Sequence, residues 1–213
     1  MTLSRIHRLP TAVAAGLLLA VCLCATLPLP EATAYPPAVG ILGKSRNCVA
    51  CHTDNGPWKD DENQVLDLLD KATGKSLRQA DGSFLVSARA GEKLTLLTVI
   101  GRAKSDPAPP PNRNGWTFVD PALIPREGPV SKFAAGWDVD LSMSCRLVGD
   151  SLKGLEGANV TVLPMTVRPH ENARDGELEW QVLMTSGTAV KGDANKGLAQ
   201  NNFQRKVRFQ VTE

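Results

Sequence analysis

The chain has 213 residues, of which 42% are hydrophobic and 22% are charged, and its formal net charge is +2. This length and apolar content suit one domain with a real hydrophobic core. The nearly balanced charge excludes the strong basic field on which nucleic-acid or anionic-membrane binding depends, so no nucleic-acid partner is expected.

Residues 1–34 have the pattern of a secretory signal peptide. A basic start precedes an apolar run over residues 12–25, and Ala-Thr-Ala at residues 32–34 supplies small side chains at the cleavage positions. The run is shorter than the roughly 20 residues of a membrane span, which makes an uncleaved anchor the weaker interpretation. A lipoprotein acylated at Cys22 or Cys24 is also weaker, because bulky Val21 precedes Cys22. We therefore predict a periplasmic or otherwise exported protein without a transmembrane anchor after cleavage.

The mature chain begins at Tyr35 with Cys48-Val49-Ala50-Cys51-His52 close behind, and this C-x-x-C-H pattern is typical of a covalently attached c-type haem. Two thiols at this spacing can form thioethers with the two vinyl groups of the macrocycle, and the imidazole that follows can bind the iron. A structural disulfide or half of a zinc site is the alternative. A zinc site would need a second Cys or His pair at short spacing, and the sequence has none. The pattern predicts one haem c, held by Cys48, Cys51 and His52.

Residues 35–60 are predicted to form a short extended haem-attachment segment, because prolines and glycines interrupt any helix there. Trp58, near its end, has two interpretations: it lies against the haem edge, or it seals the bottom of the following layer. The only cysteine of the mature chain outside the motif is Cys145, so no disulfide framework is expected and Cys145 is interpreted as a buried apolar thiol.

Residues 61–213 show a hydrophobic period of two rather than 3.6, which predicts strands. The stretch over residues 137–147 alternates without a gap and is predicted to be one strand. Residues 93–100 are apolar on both faces and are expected to lie centrally in a sheet. Around Pro164 the phase of the alternation shifts, which indicates an edge strand or a bulge. Further strands are predicted over residues 65–69, 83–88, 116–119, 178–184 and 203–211. Together they predict an all-β fold, an immunoglobulin-like antiparallel β-sandwich of seven to nine strands.

The sixth iron ligand would set the potential and the chemistry of the haem. Met143, Met165 and Met184 fall at positions predicted to face inward, where core packing competes with ligation. Met143 is the best placed of the three, because its strand is the best defined. His170 lies in a predicted loop, where a solvated histidine competes with a ligand.

A further candidate comes from a family resemblance. The mature start Tyr35-Pro36, the nearby Cys48-x-x-Cys51-His52 and the β-rich domain that follows resemble cytochrome f. The resemblance implies that the α-amino group of Tyr35 binds the iron opposite His52. The spacer from Tyr35 to Cys48 is shorter than in that family, and the chain is smaller and lacks the family's carboxyl-terminal anchor.

These patterns predict a monohaem c-type cytochrome that transfers single electrons to a redox partner protein and is not itself an enzyme. The sequence shows no pattern of residues typical of a catalytic site, and Asp60, Asp61 and Glu62 are interpreted as a solvent-exposed run of acidic residues. The alternative is a haem-bearing sensing or docking module, or an electron-transfer subunit of a larger periplasmic redox complex.

Overall fold

Nine β-strands make up most of the chain that the computed structural model describes, which comprises residues 54–59, 61–120, 133–188, 190 and 196–213. These residues belong to one compact unit. They form no helix, and so none of them provides an apolar helix long enough to cross a membrane. The strands are β1 (Gln64–Asp70), β2 (Phe84–Arg89), β3 (Leu94–Ala103), β4 (Arg113–Val119), β5 (Trp137–Asp140), β6 (Met143–Leu147), β7 (Ala158–Pro169), β8 (Gly176–Gly187) and β9 (Leu198–Thr212).

The strands form two sheets that share one core, which confirms the predicted all-β sandwich. One sheet has the order β1-β3-β7-β5 and the other β2-β9-β8-β4-β6. The side chain of buried Asn114 on β4 links the sheets, because its amide donates to Ile100 O on β3 at 2.9 Å and to Thr161 Oγ1 on β7 at 3.1 Å. All pairs are antiparallel except β2 with β9, which run in the same direction. Most of the domain connects these two strands, so the connection is long enough for a parallel pair.

Alternation of apolar residues along each strand places one face in the core, as the sequence predicts. β3 lies between β1 and β7, and its residues from Val99 to Arg102 are all buried. Trp180 anchors the core of the five-stranded sheet, where it stacks on Phe118 with ring centroids 5.8 Å apart and meets Phe84 edge-on at 5.6 Å. Such contacts add to the stabilisation that burial itself supplies.

The prediction of one strand over residues 137–147 is wrong. β5 ends at Asp140 and pairs with β7, whereas β6 begins at Met143 and pairs with β4 in the other sheet. The backbone turns at Leu141, which has a φ of 64°, a left-handed conformation that is rare for a residue with a side chain. The alternation of apolar and polar residues continues through the turn, and so the sequence pattern gives no sign that the chain passes into the other sheet.

The shift of phase around Pro164 is explained by the position of β7. β5 pairs only with residues 166–169 of β7, so β7 has a single sheet neighbour, β3, at Pro164. Val160 O accepts hydrogen bonds from Gly149 N and Asp150 N on the side of β7 that faces away from β3. Because backbone groups alternate in direction along a strand, the nitrogen of Pro164 also faces away from β3. The missing N–H of the proline therefore costs no ladder bond, and the predicted edge position is confirmed for this half of the strand.

Candidate functional site

The predicted haem-attachment residues Cys48, Cys51 and His52, and Tyr35 with them, lie outside the described residues. The described chain begins at Asp54, separated from His52 by one residue. The structure therefore shows how the chain directly after the motif is held, and where the other predicted ligands lie.

Residues 54–58 are bound to the first part of β9, and we call this set of contacts the clamp. Gly56 N donates to Gln200 O at 2.7 Å, and Trp58 N donates to Asn201 Oδ1 at 2.8 Å. Asn201 Nδ2 donates to Asp54 Oδ1 at 2.6 Å, so one buried amide side chain joins both ends of the segment. Hydrogen bonds to an ionised carboxylate are stronger than those between neutral groups.

The clamp uses an edge of β9 that β2 does not reach. β8 pairs with β9 from Leu198 to Phe209, whereas β2 begins only opposite Val207. Segment 54–56 occupies part of the free edge before that point, and it runs antiparallel to β9: Asp54 Oδ1 accepts from Asn202 N at 3.3 Å, while Gly56 bonds to Gln200. A side chain at position 56 has no room, because its Cβ would lie 2.9 Å from the carbonyl carbon of Gln200 and against the side chain of Asn201.

Trp58 takes the second of its two predicted roles. Its side chain is completely buried in the core of the sandwich, and its Nε1 donates to Pro109 O at 2.8 Å. A wholly buried indole with a satisfied N–H stabilises the attachment of the segment more than any single hydrogen bond of the clamp.

Two of the three candidate methionines are core residues. Met165 on β7 and Met184 on β8 are 1% and 0% exposed and belong to the main apolar cluster. Met143 differs, because it is half-buried at the start of β6, an edge strand of the five-stranded sheet. Three strand spacings separate it from β9 along the row Met143–Thr117–Gln181–Gln204, a distance of roughly 14 Å.

His170 lies at the opposite end of the sandwich from the clamp. Pro169, the residue before it, pairs with Trp137, and the ring of Trp137 lies 5.2 Å from that of Phe209 on β9. The contacts of the clamp with β9 end earlier along that strand, at Asn202. The stretch of β9 between these two levels is roughly 23 Å long. The imidazole is half-exposed, and its Nε2 lies 2.8 Å from Asp138 Oδ1. Hydrogen bonds from Arg168 and then His170 lower the pKa of Asp138.

The side chain of Cys145, on β6, lies next to Gly115 of β4. Its Sγ is 3.4 Å from the position that a Cβ on Gly115 would occupy. Burial raises the pKa of this thiol to about 11, and the neighbouring charge of Arg113 only partly opposes the increase. The thiol is free, but the residue is half-buried rather than fully buried as the sequence analysis expects, because β6 is an edge strand of its sheet. No three side chains of His, Cys, Asp or Glu gather as a metal site within the described ranges.

The clamp residues on β9 were not predicted from the sequence. Gln200 and Asn201 are buried at 0% and 1% exposure, although their side chains are polar. A run of Gln, Asn and Asn directly before an alternating segment is a sequence signal from which they could have been predicted, because buried polar groups need hydrogen-bond partners.

Comparisons with known proteins add little to this description. No family model matches the chain, and no curated protein sequence matches it. Among solved structures, the chain is similar to the "ASH / PapD-like domain of human CEP192 (PapD-like domain 7)" at 10% identity, over 74% of this chain and 92% of that chain, with a TM-score of 0.32.

We expect Gly56→Ala to loosen the clamp, because the new Cβ must push the segment away from β9. The expected cost is about 1–3 kcal/mol in the free energy of unfolding, measured by urea denaturation, together with faster hydrogen exchange at the Trp58 amide. Gly157→Ala is the matched control, because a Cβ there meets nothing within 4 Å. Equal stability of the two variants would show that the segment is not held as described.

The raised pKa of Cys145 predicts slow alkylation in the folded protein. At pH 8 a thiol with a pKa of about 11 has roughly one hundredth of the thiolate of one at 9.0, so the native protein should react with iodoacetamide about 100-fold more slowly than in urea. The rate of mass gain measures this, after blocking or replacement of the motif cysteines. Similar rates in both states would contradict the burial of this thiol.

Proposed function

We propose that this chain is an exported monohaem c-type cytochrome that transfers single electrons. The observation that carries the proposal is the pattern Cys48-x-x-Cys51-His52 in a chain whose next residues are fixed to a β-sandwich. Two thiols and an imidazole at this spacing are the donor set for haem c, so the chemistry of these residues fits the group. A bound haem c supplies the one-electron redox chemistry.

The roles of the chain's own residues follow from their chemistry. The thiols of Cys48 and Cys51 would form the thioethers, and the imidazole of His52 would bind the iron. Only His52 and Thr53 lie between Cys51 and Asp54, so the thiol-bearing residue can be at most about 11 Å from the clamp along the chain.

Among the candidate sixth ligands that the structure describes, the positions favour Met143 over the others, and Tyr35, which lies outside the described residues, stays a candidate from the sequence. Met165 and Met184 are enclosed by the core, and His170 is separated from the clamp by about half the length of β9. A free α-amine has a pKa near 8, so it is able to bind iron at neutral pH.

The same geometry favours a second candidate function. If neither Tyr35 nor Met143 reaches the iron, the sixth position is open, and the protein is a sensing module that binds a small gas. The buried methionines and distant histidine are the observations that support this alternative.

Replacing Cys48 and Cys51 together with alanine should abolish covalent haem, because these thiols alone can form the thioethers. The measurement is in-gel haem peroxidase staining after denaturing electrophoresis, from a host with haem-maturation machinery. Cys145→Ala is the control and should keep its full haem stain. Stain retained in the double variant would refute the attachment site.

The sixth ligand can be assigned by comparing two changes. An alanine inserted before Tyr35 should perturb the electron paramagnetic resonance spectrum if the amine binds iron, whereas Met143→Leu should abolish a near-infrared sulfur band if the thioether binds. Met184→Leu serves as a core control with no spectral effect. A high-spin wild-type haem that takes up carbon monoxide would instead support the sensor.

A further inference from the structure

A polar cleft of about 530 Å³ opens at one side of the sandwich, where the start of β1 meets β9 and the connection between β1 and β2. It is lined by Asp61 and Gln64, by residues 204–206 of β9, and by Arg78 and residues 81–83 of the connection. A space of this size falls within the range of small-molecule sites. We call it the Arg78–Arg205 cleft.

Both arginines of the cleft lie on the inner face of the five-stranded sheet. Arg205 stands directly opposite Trp180 of β8, and directly opposed residues share one face of a sheet. Arg78 stands in the same way opposite Phe84 of β2. Trp180 and Phe84 are wholly buried in the core, so the two arginines point toward the space between the sheets. A cation at such a position needs polar partners or water.

Arg78 has spare hydrogen-bond donors. Its guanidinium donates to Leu66 O and lies 5.0 Å from the ring centre of Phe84. Burial raises the pKa of Asp67, and a hydrogen bond from Ser76 and the charge of Arg78 oppose the increase. Asp67 nevertheless forms no ion pair with Arg78, and neither does any other acid in the part of the chain that the structure describes. An arginine has five N–H groups, so four of those of Arg78 remain for a ligand.

Arg205 and Gln64 provide donors from the opposite wall. Arg205 donates to Gln64 Oε1 and Gln204 O, and its ion pair with Asp61 uses a third N–H group, which leaves two. The bond from Arg205 fixes the orientation of the Gln64 amide, because a guanidinium can only donate. Gln64 Nε2 is buried and has no hydrogen-bond partner among the described residues. A buried amide N–H₂ of this kind indicates that an acceptor is missing.

The acids of the cleft lie at its exposed rim. The side chain of Asp61 is 77% exposed, so its ion pair with Arg205 is weak and can give way to a ligand. Asp81 is also exposed, and its carboxylate accepts hydrogen bonds from the hydroxyl of Ser83 at 2.6 Å and from its backbone N–H at 3.0 Å. The two charged side chains that point inward are therefore both positive.

We propose that the Arg78–Arg205 cleft binds a small-molecule anion through a carboxylate or phosphate group. The oxygens of both groups accept the N–H donors of guanidinium groups, and these charge-assisted bonds are stronger than neutral ones. Arg78 and Arg205 bind the anion from two sides, and Gln64 Nε2 donates to it from the buried end of the cleft. Described residues of the sandwich form the whole site, so this inference goes beyond the proposed function and requires no haem.

The test is isothermal titration calorimetry of the mature protein as isolated, with inorganic phosphate and with succinate at low ionic strength. Saturable binding of at least one of these anions, with one site per chain, is expected. Arg78→Gln and Arg205→Gln should each weaken the binding about tenfold or more, and the double variant should abolish it. Arg205→Lys should bind with intermediate affinity, because it restores the charge but not the planar set of donors.

Two further variants make the test specific to the cleft. Gln64→Glu keeps an acceptor for Arg205 but replaces the unpartnered donor by a carboxylate, so it should abolish binding. Arg89→Gln is the matched control, because Arg89 is an exposed arginine at the other end of β2, and it should bind as the wild type does. Arg78 is itself exposed, so Arg78→Gln is expected to fold normally.

The relative affinities for phosphate and succinate identify the group that the cleft prefers, and saturable binding of either one supports the inference. No saturable binding of either anion, even at millimolar concentrations, would overturn it. Binding that is unchanged in the double variant would overturn it as well, because the anion would then bind elsewhere. Whether the protein carries a covalent haem is measured separately by its absorption, so the two proposals fail independently.

Discussion

The burial of Trp58 is the contact on which the functional account depends. This side chain lies six residues after His52 and is completely enclosed in the core of the sandwich. Asn201 strengthens the attachment, because its amide bonds both to the backbone of Trp58 and to the carboxylate of Asp54. The predicted attachment motif is therefore joined to the domain by a segment with its own core contact rather than by a free linker.

The division of roles between motif and sandwich follows from this contact. In the proposed cytochrome, the sequence pattern would supply the donors for the haem, and the sandwich would hold the chain directly after them. The polar residues of β9 from Gln200 to Asn202 bind residues 54–58. Beyond Lys206 the strand returns to a regular alternation, with Val207 and Phe209 buried in the core. One strand thus combines a polar half that holds the clamp with an apolar half that stabilises the fold.

The sequence predicts the fold class well, because alternating burial is a local property that nine short strands express directly. It fails at Leu141, where the chain changes sheets without breaking the alternation, and it contains no sign of the parallel pairing of β2 with β9. The clamp cannot be predicted from the sequence either, because Trp58 and Asn201 are 143 positions apart and only the tertiary structure brings them together. The C-x-x-C-H pattern can be recognised in the sequence because its residues are adjacent, whereas the residues that hold segment 54–58 come from a strand far along the chain.

The most direct test of the central claim is the absorption spectrum of the mature protein, purified from a host that matures c-type cytochromes. The account predicts a coloured protein with a Soret band and, after reduction with dithionite, the sharp α and β bands of a haem c, with one haem per chain by the pyridine haemochrome assay. A colourless protein with an intact Cys48-x-x-Cys51-His52 motif would contradict it.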